Sequence, residues 1–371
     1  MSDVSRILGQ VSSGDPSAAE PLSPIDGRSF LATRVNHGNF VTAYTFDELE
    51  RRISEAHFIL PICSLGTAPQ RLSELGSLVL PPLYHEALTD ALKGRIVERI
   101  RQCFPYSDGL RKRTQWQGKL EVVELPRAAL PSCPPPRVLA FSVDTAVEEH
   151  GPHLPLATDT IQSYAVLDRL ADTFDGFVVG PPVDYGMLTW GLAFGLSIDL
   201  TAPLTTRYVT GFVNAVMEWL KPESIYVVDV HGSLIHRQAV HAGVKASHCR
   251  RHAFRWLYDP LLPFVAERDD FHAGGVETAM IEHIGPELVD SRWWPARVEE
   301  LAAGQMPVPL AVELSQDLPK FIEHVESRPL DGIVGNIRNY FHVDAALMLE
   351  RVLAVAQDDV QQLMLTRKVF Y

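Results

Sequence analysis

The sequence predicts an α/β protein, with a parallel or mixed central sheet held between layers of helices and a smaller α/β region ahead of it. Three observations carry this. Ser224 to Val230 is a nearly continuous apolar run, as in a strand buried on both faces of a parallel sheet. Strand-like runs alternate with amphipathic stretches through the last two thirds of the chain, the pattern of β-α-β units. Between the two regions, Pro131-Ser132-Cys133-Pro134-Pro135-Pro136 forms a stiff connector that no helix can cross.

In chain order, residues 1–24 are rich in Ser, Asp, Pro and Gly and are expected to stay flexible. Residues 25–130 form the N-terminal region. There Thr45 caps an expected helix, Phe58 to Cys63 reads as a strand, and Leu88 to Phe104 has helical spacing. The linker spans 131–137, and 138–371 is the expected catalytic domain. Its elements are strands at Arg137 to Val143, Phe177 to Val179, Ser224 to Val230 and His252 to Tyr258, and helices at Thr205 to Leu220, Ser233 to Ser247, Glu277 to His283 and Asp344 to Leu363. Ile59 to Ser64 followed by Leu78 to Tyr84 echoes Val138 to Ser142 followed by Val178 to Tyr185. The echo is either a decayed partial repeat or a chance likeness of strand-loop segments.

Composition narrows the function. The chain has 371 residues, enough for two domains and a sizeable core. Its 33 basic and 46 acidic residues give a net charge of −13, which repels phosphate backbones and argues against nucleic acid as a partner. No apolar run approaches the ~18 residues of a membrane span. The N-terminus has no apolar signal core. The four cysteines are scattered, as expected in a reducing cytoplasm.

The chemistry gathers after the Arg137–Val143 strand, in Glu148-Glu149-His150-Gly151-Pro152-His153-Leu154-Pro155-Leu156-Ala157-Thr158-Asp159. Glu148 and His150 are two apart, so extended backbone points both to one face. Asp159 returns after a turn shaped by Pro152 and Pro155. Carboxylate, imidazole and carboxylate beside a strand end suit a divalent cation bound through oxygen and nitrogen. His231 directly follows another strand, where parallel sheets present functional groups. Other histidines read as structural: His236 and His241 are five apart on a helix, and His248 and His252 straddle a helix-to-strand turn.

The Glu148–Asp159 string resembles the signature of the creatininase family, Glu-Gln-His-Gly-Pro-His-Leu-Pro-Leu-x-Thr-Asp, with Glu149 in the Gln place. Asp229 to Leu234 is similar to the family's Asn-Gly-His-Gly-Gly-Asn, with both Asn places changed. His272 to Ala279 resembles His-Ala-Gly-Glu-x-Glu-Thr-Ser, with Gly275 replacing the first Glu and Ala279 the Ser. Asp331 to Asn336 resembles a late Gly-Val-x-Gly-Asp-Pro loop. The resemblance runs from about Val138 to about Met364. It implies a creatininase-like three-layer sandwich and two divalent ions per chain, zinc, manganese or iron. It also implies that Asp159 bridges them, with Glu148 and His231 on one ion and His150 on the other. In creatininase itself the fifth ligand is a Glu two residues after the strand-end His. That place is Ser233 here, so Glu277 is expected to complete the set. His272 takes the place of a proton shuttle. His153, inside the motif, is expected either to support the ligands from behind or to face substrate, and Ser233 and Trp190 are expected to face substrate.

By the same resemblance, the expected reaction is hydrolysis of a C–N amide-type bond in a cyclic amide, formamide or short peptide. Two alternatives stand beside it: ring opening of a cyclic keto compound at carbon, and a catalytically drifted scaffold. The expected partners are a small-molecule substrate and further copies of the chain in a hexamer or octamer, with neither nucleic acid nor membrane.

Overall fold

The computed structural model describes residues 20–21, 58–68, 78–103, 120–188, 191–195, 197–289, 294–328 and 330–365. Residues 1–19, the helix expected at Thr45 and the side chain of Trp190 lie outside them. Two four-stranded sheets organise the chain. The C-terminal one has the order β10-β9-β7-β8, built from β7 (Val138–Ser142), β8 (Phe177–Val179), β9 (Ser224–Asp229) and β10 (His252–Trp256). Every pairing in it is parallel. The N-terminal one centres on β2 (Phe58–Cys63), with β4 (Leu78–Val79) and β5 (Leu83–Tyr84) along one side and β6 (Leu120–Glu124) also paired to it, again all parallel. A two-residue ladder joins β1 (Glu20–Pro21) to β3 (Thr67–Ala68).

The C-terminal sheet is buried on both faces, which its unbroken apolar strands require. Leu139, Phe141, Ile225 and Val227 point into one core, and Val138, Ala140, Tyr226 and Val228 into another. The first face is covered by α3 (Ala202–Leu220) and α4 (Leu234–Ala246). The second is covered by α2 (Thr158–Thr173), α5 (Gly275–Ile284) and α6 (Ala345–Leu365). Helix, sheet and helix make the three layers. Pro203 sits in the first turn of α3, where its missing N–H has no partner to lose. The Ser233 hydroxyl caps α4 by accepting from His236 N. The sequence reading did not anticipate α2. Its buried Tyr164, Leu167 and Leu170 recur at helical spacing, but the motif that opens it draws attention to the loop instead. Asp159 therefore sits in the first turn of a helix rather than in a free turn.

α1 (Asp90–Cys103) and α3 join the two sheets into one core. Phe212 of α3 packs on Tyr84 at 5.8 Å and on Phe141 at 5.0 Å between ring centroids. Gly211 lets the backbones close in, because a Cβ there would lie 2.1 Å from Ala87 O. The echo between the two regions has a register. Leu80 N bonds Ile59 O, and Gly180 N bonds Ala140 O, both at 2.7 Å. Three residues on, Ile62 pairs with Leu83, as Val143 pairs with Val183. Among the described residues no helix is long and apolar enough to cross a membrane.

Candidate metal centre

Six polar side chains converge at the carboxyl end of the C-terminal sheet, and all are buried: Glu148, His150, Asp159, His231, His272 and Glu277. Five local devices deliver them. Glu148 and His150 come from the irregular segment after β7, where Gly151 takes a left-handed φ of 70° that favours glycine. Asp159 comes from the first turn of α2, and His231 from the end of β9. His272 is fixed by a two-way backbone bridge to Val334, 2.9 Å in each direction. Glu277 sits in the first turn of α5, where its Oε2 accepts from Ala273 N at 2.6 Å.

Each imidazole is anchored the same way. His150 Nδ1 lies 3.0 Å from Glu148 O, His231 Nε2 lies 3.1 Å from Met187 O, and His272 Nε2 lies 2.7 Å from Glu149 O. A carbonyl can only accept, so each of these nitrogens carries the proton and donates. The remaining nitrogens face carboxylates. His150 Nε2 is 3.4 Å from Asp159 Oδ1. His231 Nδ1 is 3.0 Å from Glu148 Oε2 and 3.4 Å from Asp159 Oδ2, and His272 Nδ1 is 3.9 Å from Glu148 Oε1. Asp159 thus turns one oxygen to His150 and the other to His231. Backbone-anchored histidines of this kind are the usual support of metal-binding imidazoles. Ligand atoms of Glu148, His150 and Asp159, and separately of His150, His272 and Glu277, lie within 4.8 Å of one another. His150 and His272 also pack ring to ring at 4.3 Å.

Burial opposes charge on every group here, and the groups answer one another. It works against the His150 imidazolium, yet Asp159, with Glu277 and Glu148 behind it, pushes that pKa up to about 10. His231 is raised well above its usual value by Glu148 and Asp159, again against burial. The two imidazoles in turn hold Asp159 below the carboxylate range, and His231 does the same for Glu148. For Glu277 burial prevails over the pull of His150, and its pKa rises to about 7. Burial, with positive charge on His150, lowers His272 to about 4.

The surroundings hold one residue the sequence did not single out, Thr145. Thr145 donates its hydroxyl to Glu148 Oε2 and stands 3.4 Å from Asp159 Oδ2. Its only signal was its place three residues before Glu148. His236 is structural: Met187 N donates to its Nδ1 at 3.1 Å, and its Nε2 donates to Val143 O at 2.8 Å. Glu149 turns away from the ligand cluster and accepts from Gly151 N at 2.6 Å. Gly332 makes room for it, since a Cβ there would lie 1.8 Å from Glu149 Oε2.

Of the residues expected to face substrate, Ser233 lines the cavity. His153 does not; it is fully buried, with Nε2 2.8 Å from Thr278 Oγ1 on α5. The cavity over the centre holds about 190 Å³, and its walls include Trp256, Tyr258, Phe271 and Val312. Among the described residues, no lysine or arginine lines it.

A 149-residue stretch is 28% identical to a mycofactocin precursor peptide peptidase of Mycolicibacterium smegmatis, covering 39% of this chain and 57% of that protein. The counterpart from Mycobacterium ulcerans is 27% identical over 152 residues, with the same coverage. The match thus spans little more than half the length of these relatives. Among solved structures, a Bacteroides fragilis protein described as a creatinine amidohydrolase overlays 62% of this chain and 90% of its own. It does so at 18% identity and a TM-score of 0.47. A manganese form of creatininase gives 62%, 92%, 16% and 0.46 for the same measures. The model of the creatininase family, described as creatinine amidohydrolase, matches residues 140–349, more than half of the chain. On that match, this protein belongs to the creatininase family.

Proposed function

We propose that this protein is a hydrolase that holds two divalent cations and cleaves a C–N amide bond beside an apolar group. The observation that carries the reading is the shared anchoring of His150, His231 and His272. Each gives one N–H to a carbonyl and turns its other nitrogen toward buried carboxylates. Buried carboxylates demand compensating charge, and no lysine or arginine among the described residues lines the cavity. His150 Nε2 and Glu148 Oε1 are buried without a hydrogen-bond partner. A divalent cation fits both conditions, displacing the protons that otherwise sit on the imidazoles.

Glu148, His231 and one oxygen of Asp159 would hold one cation; His150, Glu277 and the other oxygen of Asp159 would hold the second. When bound, such cations would supply a water of lowered pKa and polarisation of the amide carbonyl. Thr145 steadies Glu148 and Asp159 by its hydroxyl. His272 Nδ1, with the opposite edge of its ring fixed on Glu149 O, takes the proton from the attacking water and returns it to the leaving nitrogen. His272 is also near enough to His150 and Glu277 to act as a ligand. We assign it the proton because it occupies the shuttle place of the family string and its ring packs against that of His150.

The cavity of about 190 Å³ is smaller than drug-sized ligand sites, so it takes the scissile group and leaves the flanks of the substrate at the rim. That rim is apolar: Leu234, Leu262, Phe271 and Val312 are all substantially exposed. Exposed apolar clusters of this kind mark binding surfaces. The peptidase named for the mycobacterial relatives supports a peptide amide. The test is mass spectrometry of the protein loaded with Mn²⁺ or Zn²⁺ and given short peptides with apolar, acidic or basic residues at the cleaved bond, together with cyclic amides and cyclic ketones. Cleavage of apolar peptides ahead of acidic ones is expected. Opening of a ketone ring with every amide left intact would overturn the reading.

A further inference from the structure

We infer that Arg99, on the N-terminal helix α1 and outside the residues that match the family, is a positioning residue for His231. The connection runs through one peptide group. The carbonyl of Met187 accepts from His231 Nε2 at 3.1 Å. The N–H of the same peptide unit, on Leu188, donates to Asp199 Oδ1 at 2.9 Å. Asp199 Oδ2 in turn receives Arg99 Nη2, and Arg99 Nε donates to Asp199 O at 3.1 Å. Cys103, one turn further along α1, closes the contact, its Sγ lying 3.4 Å from both Asp199 N and Asp199 O.

The physical consequence follows from the amide. In a trans peptide the N–H and C=O point in opposite directions, so Asp199 and His231 lie on opposite sides of the Met187–Leu188 unit. A carboxylate accepting the N–H draws electron density toward the carbonyl oxygen, because hydrogen bonds in a chain polarise one another. The carbonyl then holds His231 Nε2–H more firmly, which fixes the ring and makes Nδ1 a better donor toward a cation. Arg99 aims Asp199 and favours its charged form: burial raises the pKa of this buried carboxylate above its usual value, and the guanidinium works against that rise. The same segment is pinned from its other side, where Met187 N donates to His236 Nδ1. Gly186 must lack a side chain there, since a Cβ would lie 2.2 Å from His236 Cε1. The N-terminal region therefore acts on the metal centre without touching it.

This rests on the reading of His231 as a cation ligand, and the test separates the two. Mn²⁺ affinity is measured by calorimetry on the full chain for the parent, Arg99→Ala, Arg99→Lys, Asp199→Asn and Trp219→Phe. Trp219→Phe removes a different bond to the Pro131 segment, Trp219 Nε1 to Pro131 O at 3.0 Å, and serves as the control. In parallel, NMR of ¹⁵N-histidine-labelled protein follows exchange of the His231 Nε2–H proton with solvent, with and without metal. Arg99→Ala should weaken Mn²⁺ binding by roughly tenfold or more, the scale of supporting-residue effects at metal sites, and speed that exchange. Arg99→Lys should recover part of both effects, and the control should match the parent. If Arg99→Ala does not fold, Asp199→Asn carries the same comparison, since it keeps an oxygen for Leu188 N but loses the charge. Parent-like affinity and exchange in the Arg99 and Asp199 variants, or equal losses in the control, would overturn the inference. A parent that binds no Mn²⁺ would overturn the metal reading instead, while the exchange rates still decide the relay.

Discussion

Glu277→Gln set against Ser233→Ala is the sharpest perturbation of the centre, because the two positions compete for the fifth ligand and the structure gives each a different task. Glu277 uses one oxygen, Oε2, on Ala273 N at 2.6 Å, which leaves the other for a cation beside His150. Glutamine keeps one oxygen for Ala273 N–H and puts an NH₂ where the ligand oxygen was; a donor group offers no lone pair to a cation. Loss of an anionic ligand should weaken the second cation by about a hundredfold, or roughly 2.7 kcal/mol. Ser233 already uses its hydroxyl to accept from His236 N at 3.3 Å as the cap of α4. Its removal should cost about 1 kcal/mol of stability, a melting shift of about 2 °C, with metal content unchanged. The assay is elemental analysis after gel filtration, with calorimetric Mn²⁺ titration. Glu277→Gln should retain about one ion per chain and Ser233→Ala two. A Ser233→Ala protein that loses an ion while Glu277→Gln keeps both would refute the ligand assignment.

Thr145→Val removes the hydroxyl that serves Glu148 and Asp159 with little change of shape, and calorimetry should show Mn²⁺ affinity lower by roughly tenfold or more. A Thr145→Val protein with parent affinity would show the hydroxyl to be incidental. His236 should make the fold acid-sensitive: burial and the neighbouring His231 hold its pKa down at about 3. A histidine with a depressed folded pKa contributes stability that is complete above its unfolded value near 6.5 and is lost as pH falls toward 3. Urea midpoints of the metal-free protein should drop across that window, and the drop should be shallower in His236→Gln; equal slopes would refute it.

The strands were legible because burial on both faces leaves an apolar run that turns and prolines delimit. Phe58–Cys63 and Phe177–Val179 appear where the sequence placed them. Three of the six clustered groups, Glu148, His150 and Asp159, sit within twelve residues, so their convergence was a local matter. The supports were not legible. Asp199 and Arg99 are 100 residues apart, and His272 and Glu149 are 123 apart. Nothing in local spacing announces a bond made only by the topology. For His153 the motif left two places open, behind the ligands or facing the cavity, and the chain beyond the turn at Gly151 directs it to α5 and Thr278.

Two departures from the family string share one physical explanation, which yields a last prediction. Glu149 stands where the family has Gln, and Asp229 where it has Asn. Both are buried, Asp229 at 0% exposure. Burial pushes Glu149 up to about 8, against the pull of His150 and Gly151 N, and raises Asp229 well above the carboxylate range, with Asp144 adding to the effect. A protonated carboxyl has nearly the size and hydrogen-bonding reach of the amide it replaces, so near neutral pH each acid serves as an amide in shape. An acid raised in the folded state weakens the fold as pH climbs from its unfolded value toward its folded one, because only the unfolded chain ionises there. For Glu149 that window runs from about 4.5 to about 8, and the cost across it reaches up to roughly 5 kcal/mol. Glu149→Gln should therefore match the parent near pH 4.5 and exceed it by a growing margin toward pH 8, read as urea midpoints of metal-free protein. Asp229→Asn should follow the same direction. If Glu149→Gln instead loses stability as pH rises, the carboxylate is ionised in the fold and contributes charge, and its likeness to glutamine is only one of position.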